Sequence, residues 1–255
     1  MKMSNSKHSK DSVDCEVAVG HSKEKLMKEN HRKGDKILAA LRTFSGMVAH
    51  IAAIGFTLFM FYISKPGTSL FSWHPALMSL SFMCLMVEAI LVFNPESSLL
   101  LKASRKTKVR VHWTLQTCAV GCGLLGFLTI VLNKIQNNKE HFKSWHGMFG
   151  LITIIYCVVQ AGFGVFLLYP QVAKKWNWKL IQLKVYHATF GLLGFTLVSV
   201  TIILSLFSNF VASNVEGFLW GLCFFCPAWC ILIVMNQVTN TYLPITRRSG
   251  RTAPL

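Results

Sequence analysis

Ser72-Trp73-His74-Pro75 stands at the mouth of an apolar run that continues from Ala76 to Phe93. The triplet Ser144-Trp145-His146 stands at the mouth of another, and His112 and His187 open two more. A histidine inside a membrane span is costly and usually functional. Four of them, one at the start of each of four successive apolar runs, decide how the chain is read.

The composition agrees with a membrane setting. Of 255 residues, 53% are hydrophobic and 14% charged, too apolar a balance for an ordinary soluble domain. The net charge of +16 is scattered through short loops between apolar runs, so it reads as an orientation signal and not as a nucleic-acid face. No secretory signal peptide is expected, because residues 1–36 are polar. Cys15 lies in that polar stretch and the other seven cysteines fall inside apolar runs, which gives no disulfide framework. Cys223, Cys226 and Cys230 read as small apolar residues of a span. Zinc would need about four ligands, and no second pair lies near.

Residues 1–36 are charged and rich in Lys, Ser and Glu, and are expected to be a disordered tail. Six apolar segments follow, near 44–63, 74–94, 111–132, 146–168, 187–207 and 217–238. Each has about 20 residues, enough to cross ~30 Å of hydrocarbon at ~1.5 Å per residue. Backbone polar groups cannot be left unpaired in lipid, so the fold class is all-α: a polytopic bundle of six transmembrane helices. A domain over 37–245 and a C-terminal tail over 246–255 complete the expected organisation.

Lys and Arg set the orientation. The N-terminal tail, the 2–3 loop, the 4–5 loop and the C-terminal tail (with Arg247, Arg248 and Arg251) hold 22 of them, and the opposite side holds four. Both termini are therefore expected in the cytosol. His74 and His146 then lie near the non-cytosolic face, and His112 and His187 near the cytosolic face. The interval from His74 to His146 is 72 residues and from His112 to His187 it is 75, a weak internal repeat. It suggests a pseudo-symmetric four-helix core flanked by spans 1 and 6.

Two imidazoles facing across a bundle can hold a planar cofactor between them. Bis-histidine ligation of haem iron leaves no position for oxygen and suits electron transfer. One haem per leaflet makes a two-station path. Gly147, Gly150, Gly191 and Gly194, close after two of the ligands, could admit a large ring or serve close helix packing. A competing reading gives the histidines zinc or copper. The two pairs are about 20–30 Å apart at ~1.5 Å per residue, so they cannot share one ion.

At this point the chain resembles a known family. Six spans with histidines opening spans 2 to 5 look like the cytochrome b561 family of transmembrane electron carriers. The stretches Ser64-Lys65-Pro66-Gly67-Thr68-Ser69-Leu70-Phe71-Ser72-Trp73-His74-Pro75, Pro95-Glu96-Ser97-Ser98-Leu99, Leu183-Lys184-Val185-Tyr186-His187 and Met235-Asn236-Gln237-Val238 resemble its short domain-containing members. The resemblance covers roughly residues 40–245. It implies two b-type haems, one on His74 and His146 and one on His112 and His187. It implies an ascorbate-dependent transmembrane ferric reductase or monodehydroascorbate reductase: cytosolic ascorbate would donate, and ferric iron or monodehydroascorbate would accept beyond the membrane. It also suggests a homodimer, in the endoplasmic reticulum or a cytoplasmic vesicle membrane.

Ascorbate is an anion, so its site should be basic and cytosolic. Lys106, Lys108 and Arg110 precede His112, and Lys184 precedes His187. Each serves equally as an inside-positive topology signal. On the far face His141 and Lys143 precede His146, as partners of a haem propionate or an anionic acceptor, or as parts of an exposed loop. His50 and Glu88 both lie about 9 Å deep at ~1.5 Å per residue, so a hydrogen bond between them is feasible, for proton balance or for fixing a propionate. Gln160 follows His146 by 14 residues, as Glu88 follows His74, and is its repeat-related counterpart or a packing residue. The alternative to electron transfer is a non-enzymatic haem-binding scaffold or a metal-ion transporter. A transporter would usually carry more intramembrane carboxylates than Glu88 alone.

Overall fold

The computed structural model describes residues 5–175 and 177–242, with the side chains of 5–23, 170, 173 and 242 outside the description. Arg247, Arg248, Arg251 and the expected tail 246–255 lie outside the described residues. All regular structure among the described residues is helical. Among the described residues six helical stretches are long and apolar enough to cross a membrane: Glu24–Ser64, Leu70–Leu91, Arg105–Gln136, Trp145–Leu168, Leu180–Ser205 and Gly217–Thr241. They are called spans 1 to 6.

The chain forms two compact units, Met1–Phe44 and Ser45–Leu255. Helix α1 (Asn5–Ser64) contributes to both. Residues 5–36, expected to be disordered, are therefore helical. No proline occurs before Pro66. Glu24 pairs with Lys28 and Glu29 with Lys33, each four residues on, the spacing at which opposite charges support a helix.

In the second unit, span 2 is built from α2 (Leu70–Ser79), a π-helical turn (Leu80–Met86) and α3 (Val87–Leu91). Then come α4 (Arg105–Gln136), α5 (Trp145–Leu168), α6 (Pro170–Lys175), α7 (Leu180–Ser205), α8 (Asn209–Ala212) and α9 (Gly217–Tyr242). Serine hydroxyls begin several of them. Ser69, Ser104, Ser144 and Ser208 accept hydrogen bonds from the backbone N–H of Ser72, Thr107, Gly147 and Val211. The two Ser-Trp-His triplets are thus not equivalent. Ser144 is itself a cap, while Ser72 is the third residue of α2 and closes a capping box with Ser69. His112 and His187 do not open their helices. Each sits seven residues inside, because the basic residues before the apolar runs continue the helices to Arg105 and Leu180.

Span 2 packs along α4 and α5 along α7, so the four histidine-bearing spans form two pairs, joined where α4 meets α5. Gly126 permits the first close approach: a Cβ there would lie 3.0 Å from the Leu77 Cβ. Outside, Leu124, Leu125, Leu128, Ile152, Ile155 and Val159 are exposed, an apolar surface suited to lipid. Inside, Met83, Val87, Leu91, Phe195, Val198 and Val234 are fully enclosed. Cys223, Cys226 and Cys230 belong to this core. Polar groups of span 6 tie it to its neighbours: Trp229 Nε1 donates to the Ser45 carbonyl (3.0 Å) and Gln237 Nε2 to that of Ile90 (3.0 Å).

The π turn loosens the i→i−4 pattern, and hydroxyls stand beside it. Thr57 Oγ1 donates to the Ser79 carbonyl (3.1 Å), and Ser81 Oγ to the Ala119 carbonyl (2.6 Å). Such turns add a residue to a helix and recur at functional sites.

Gly46 of span 1 lies against Ser97, and a Cβ there would overlap Ser97 Oγ. Overpacking of this kind costs ~1–3 kcal/mol. Gly46→Ala should lower the unfolding midpoint in detergent, and Ser97→Gly added to it should restore most of the loss; a double variant no more stable than Gly46→Ala would refute the contact.

Candidate functional site

The four histidines meet two by two. The rings of His74 and His146 lie 6.1 Å apart between centroids, with planes at 71°. Those of His112 and His187 lie 6.3 Å apart, at 82°. Each pair joins one histidine from the span 2–α4 half to one from the α5–α7 half.

Each ring is held by the neighbouring antiparallel helix. His74 Nδ1 donates to the Gly126 carbonyl (2.9 Å), His112 Nδ1 to that of Ala89 (2.7 Å) and His146 Nδ1 to that of Thr201 (3.0 Å). A carbonyl only accepts, so the proton on these rings is on Nδ1 and the lone pair on Nε2. This is the tautomer that a metal-ligating histidine needs, fixed by the kind of outer partner that orients such ligands. At His187 the neighbour is a side chain: Gln160 Nε2 lies 3.2 Å from Nδ1 and 2.7 Å from the His187 carbonyl.

The partners follow a rule. Gly126, Gln160 and Thr201 each lie fourteen residues beyond the histidine of their own helix, and Ala89 lies fifteen beyond His74. The added residue is that of the π turn between them. Fourteen residues at ~1.5 Å each separate the two histidine levels by ~21 Å.

The residues fit b-type haem. An iron about 2 Å from each of two imidazole nitrogens, with each ring centre roughly 1 Å further back, sets the rings about 6 Å apart. Both pairs have that separation. A cavity of about 270 Å³ opens beside His74 and His146, walled by Phe71, Phe82 and Phe127 and by Gly147 and Gly150. Those two glycines therefore border open space. Gly191 and Gly194 instead pack against Gln160 and Tyr156. Beside the other pair Gly164 makes room, since a Cβ there would stand 3.3 Å from His187 Cε1.

The basic candidates separate by exposure. Lys108 is four residues before His112 and Lys184 three before His187, so each shares a helix face with its histidine, and both are half-buried. Lys106 and Arg110 are exposed. At the opposite end His141 lines the cavity, whereas Lys143 is exposed and pairs with Glu140 (3.4 Å). Lys134, not singled out in the sequence, lines the cavity and donates to the Glu140 carbonyl (2.7 Å). Its signal was available, for it is the cation in the last turn of α4, at the level of the cavity mouth.

His50 and Glu88 do meet. His50 Nε2 donates to the Ser97 carbonyl (3.0 Å), and Nδ1 lies 2.8 Å from both carboxylate oxygens of Glu88. With Nε2–H committed to a carbonyl, the Nδ1–carboxylate contact must contain a proton on one side or the other. Glu88 directly precedes Ala89, whose carbonyl holds His112.

Comparison with known proteins agrees with this arrangement. A family model described as eukaryotic cytochrome b561 matches residues 73–213, which include all four histidines. The chain is 48% identical over 207 residues to transmembrane reductase CYB561D2 of Bos taurus, covering 81% of this chain and 92% of that protein. The Homo sapiens protein of that name gives the same identity over the same length, with the same coverage. Probable transmembrane reductase CYB561D1 of Mus musculus is 41% identical over 204 residues, 80% of this chain and 88% of that one. Histidines facing in pairs at two depths of a six-span helical bundle, together with these matches, place the chain in the eukaryotic cytochrome b561 family.

Proposed function

We propose that the chain carries electrons across a membrane from cytosolic ascorbate to ferric iron or monodehydroascorbate on the other side. The observation that carries this reading is the pair of facing-histidine sites ~21 Å apart along the helices. The reductase names of the relatives support it. Bound at these pairs, two b-type haems would supply one-electron carriers whose axial positions are both filled, which favours electron transfer over oxygen chemistry. His112 and His187 belong to the cytosolic station, and His74 and His146 to the far one. This orientation rests on the inside-positive charge of the 2–3 and 4–5 loops, which puts both termini in the cytosol. A vesicle or endoplasmic reticulum membrane and a homodimer remain part of the proposal.

The residues divide the work. Lys108 and Lys184, on the faces of their histidines, attract the ascorbate anion, with Lys106 and Arg110 further out steering it. Lys134 and His141 meet an anionic acceptor or a propionate at the far cavity. Lys143 is held by Glu140 and adds charge to the rim. His50 and Glu88 hold one proton beside the backbone that positions His112, so they can balance charge as an electron enters. The thiols of Cys84 and Cys230 are the other ionisable groups near Glu88.

Purified protein should show two low-spin b-type haems reduced by ascorbate. His112→Ala should remove the entry station and slow reduction, while His146→Ala should leave entry intact and block delivery. Absence of haem from the wild type would overturn the proposal. Hydrogen bonds to charged groups are worth ~1.5–3 kcal/mol, so Lys108→Gln or Lys184→Gln should raise KM for ascorbate by ~10-fold or more. An unchanged KM in both would remove them from the site. Glu88→Gln should flatten the pH dependence of ascorbate-driven reduction, and an unaltered profile would end the proton role.

A further inference from the structure

Three of the four histidines are oriented by a main-chain carbonyl of the facing helix, and His187 is not. The exception sits where the repeat predicts a partner. Gln160 is fourteen residues beyond His146, as Gly126 is beyond His112 and Thr201 beyond His187. The related position in span 2 is Glu88, but the π turn advances that helix by a residue. The Ala89 carbonyl thereby faces His112, and Glu88 turns to His50. Span 4 has no such turn: α5 is continuous from Trp145 to Leu168, so the polar side chain stays at the histidine.

Resting on the bis-histidine haem reading, we propose that Gln160 is the positioning residue of His187, its side-chain amide standing in for the carbonyl that orients each of the other three. For Nε2 to ligate iron, Nδ1 must carry the proton, and that proton needs an acceptor. An amide nitrogen cannot accept it, whereas the oxygen on the same carbon can. The amide therefore presents its oxygen to Nδ1 when His187 ligates. Doing so gives up the bond from its nitrogen to the His187 carbonyl, a carbonyl that stays satisfied within α7. A rotatable amide is a softer acceptor than a fixed carbonyl. One haem of the two is thus held by a carbonyl-bound histidine and an amide-bound one, and the other by two carbonyl-bound histidines. Gly164, four residues on along α5, leaves the His187 ring free of a contacting side chain there, whereas Phe93 packs against His112.

The test uses the full chain, loaded with haem, in lipid nanodiscs, and reads redox potential spectroscopically together with haem retention. Gln160→Met keeps the volume and removes the acceptor. It should raise the midpoint potential of one haem, because His187 becomes a poorer donor, and weaken retention of that haem by ~10- to 100-fold, the usual cost of losing an outer-sphere partner. Gln160→Glu keeps an acceptor oxygen and should lower the potential of the same haem with retention preserved. The second haem should not move in either. Both potentials unchanged, a shift of the same sign in both variants, or equal shifts in both haems would overturn the assignment. If Gln160→Met is not recovered folded, the sign and selectivity of the Gln160→Glu shift decide. A wild type that holds no pair of haems would refute the underlying reading instead, and so is distinguishable.

Discussion

The arrangement depends on one interaction: an imidazole N–H of one helix donating to a main-chain carbonyl of the helix beside it. In a membrane helix each carbonyl is already engaged with the N–H four residues on, but it has a second lone pair. A histidine can take that lone pair without breaking the helix, so the bond satisfies a buried ring nitrogen at no cost in backbone bonding. It also settles which nitrogen is left with a lone pair. At Gly126 the same contact requires close helices, and the missing Cβ provides the closeness. Helix packing and the tautomer of the ring are here one constraint.

The bond also explains the internal repeat. Antiparallel neighbours whose ring contacts fall fourteen or fifteen residues beyond their own histidines set two levels at a spacing fixed by the helical rise. The level separation is therefore a property of the backbone, which is why two halves with different side chains keep it. The π turn in span 2 is the one departure. It changes which residue faces His112 and sends the half-buried carboxylate of Glu88 toward His50. A single added residue so separates the His50–Glu88 pair from the His112 ring in one half, while the other half leaves the Gln160 amide at the His187 ring.

Solvent explains the rest of the molecule. Lipid rewards an apolar exterior, so Leu, Ile and Val face outward on α4 and α5, while the interior must find partners for every polar group. Thr57, Ser81 and Gln237 donate to carbonyls of neighbouring helices. The cysteines of span 6, which could suggest a metal site, lie in the apolar core, with Cys230 Sγ donating weakly to the Ala49 carbonyl (3.7 Å).

Much of this was legible in the sequence. Apolar runs of about 20 residues bounded by charge give six spans, since a bilayer sets both length and polarity. Histidines at the ends of runs give two levels, because alternate spans point opposite ways. Equal depth made a His50–Glu88 contact feasible, and the packing of spans 1 and 2 brings the two together. Helix ends were not legible where charged residues continue a helix past the apolar run, as before His112, before His187 and throughout the N-terminal residues. The Lys143–Glu140 pair was not legible either, since loop geometry decides it. Nor was the π turn, which no side-chain pattern encodes. What the sequence by itself determined is which residues lie at which depth, for depth is a count along a helix. Which groups touch was decided only by tertiary structure. The partners of His74, His112 and His146 are main-chain carbonyls that every residue possesses, so their identity depends on helix register and proximity and leaves no mark in the residue types.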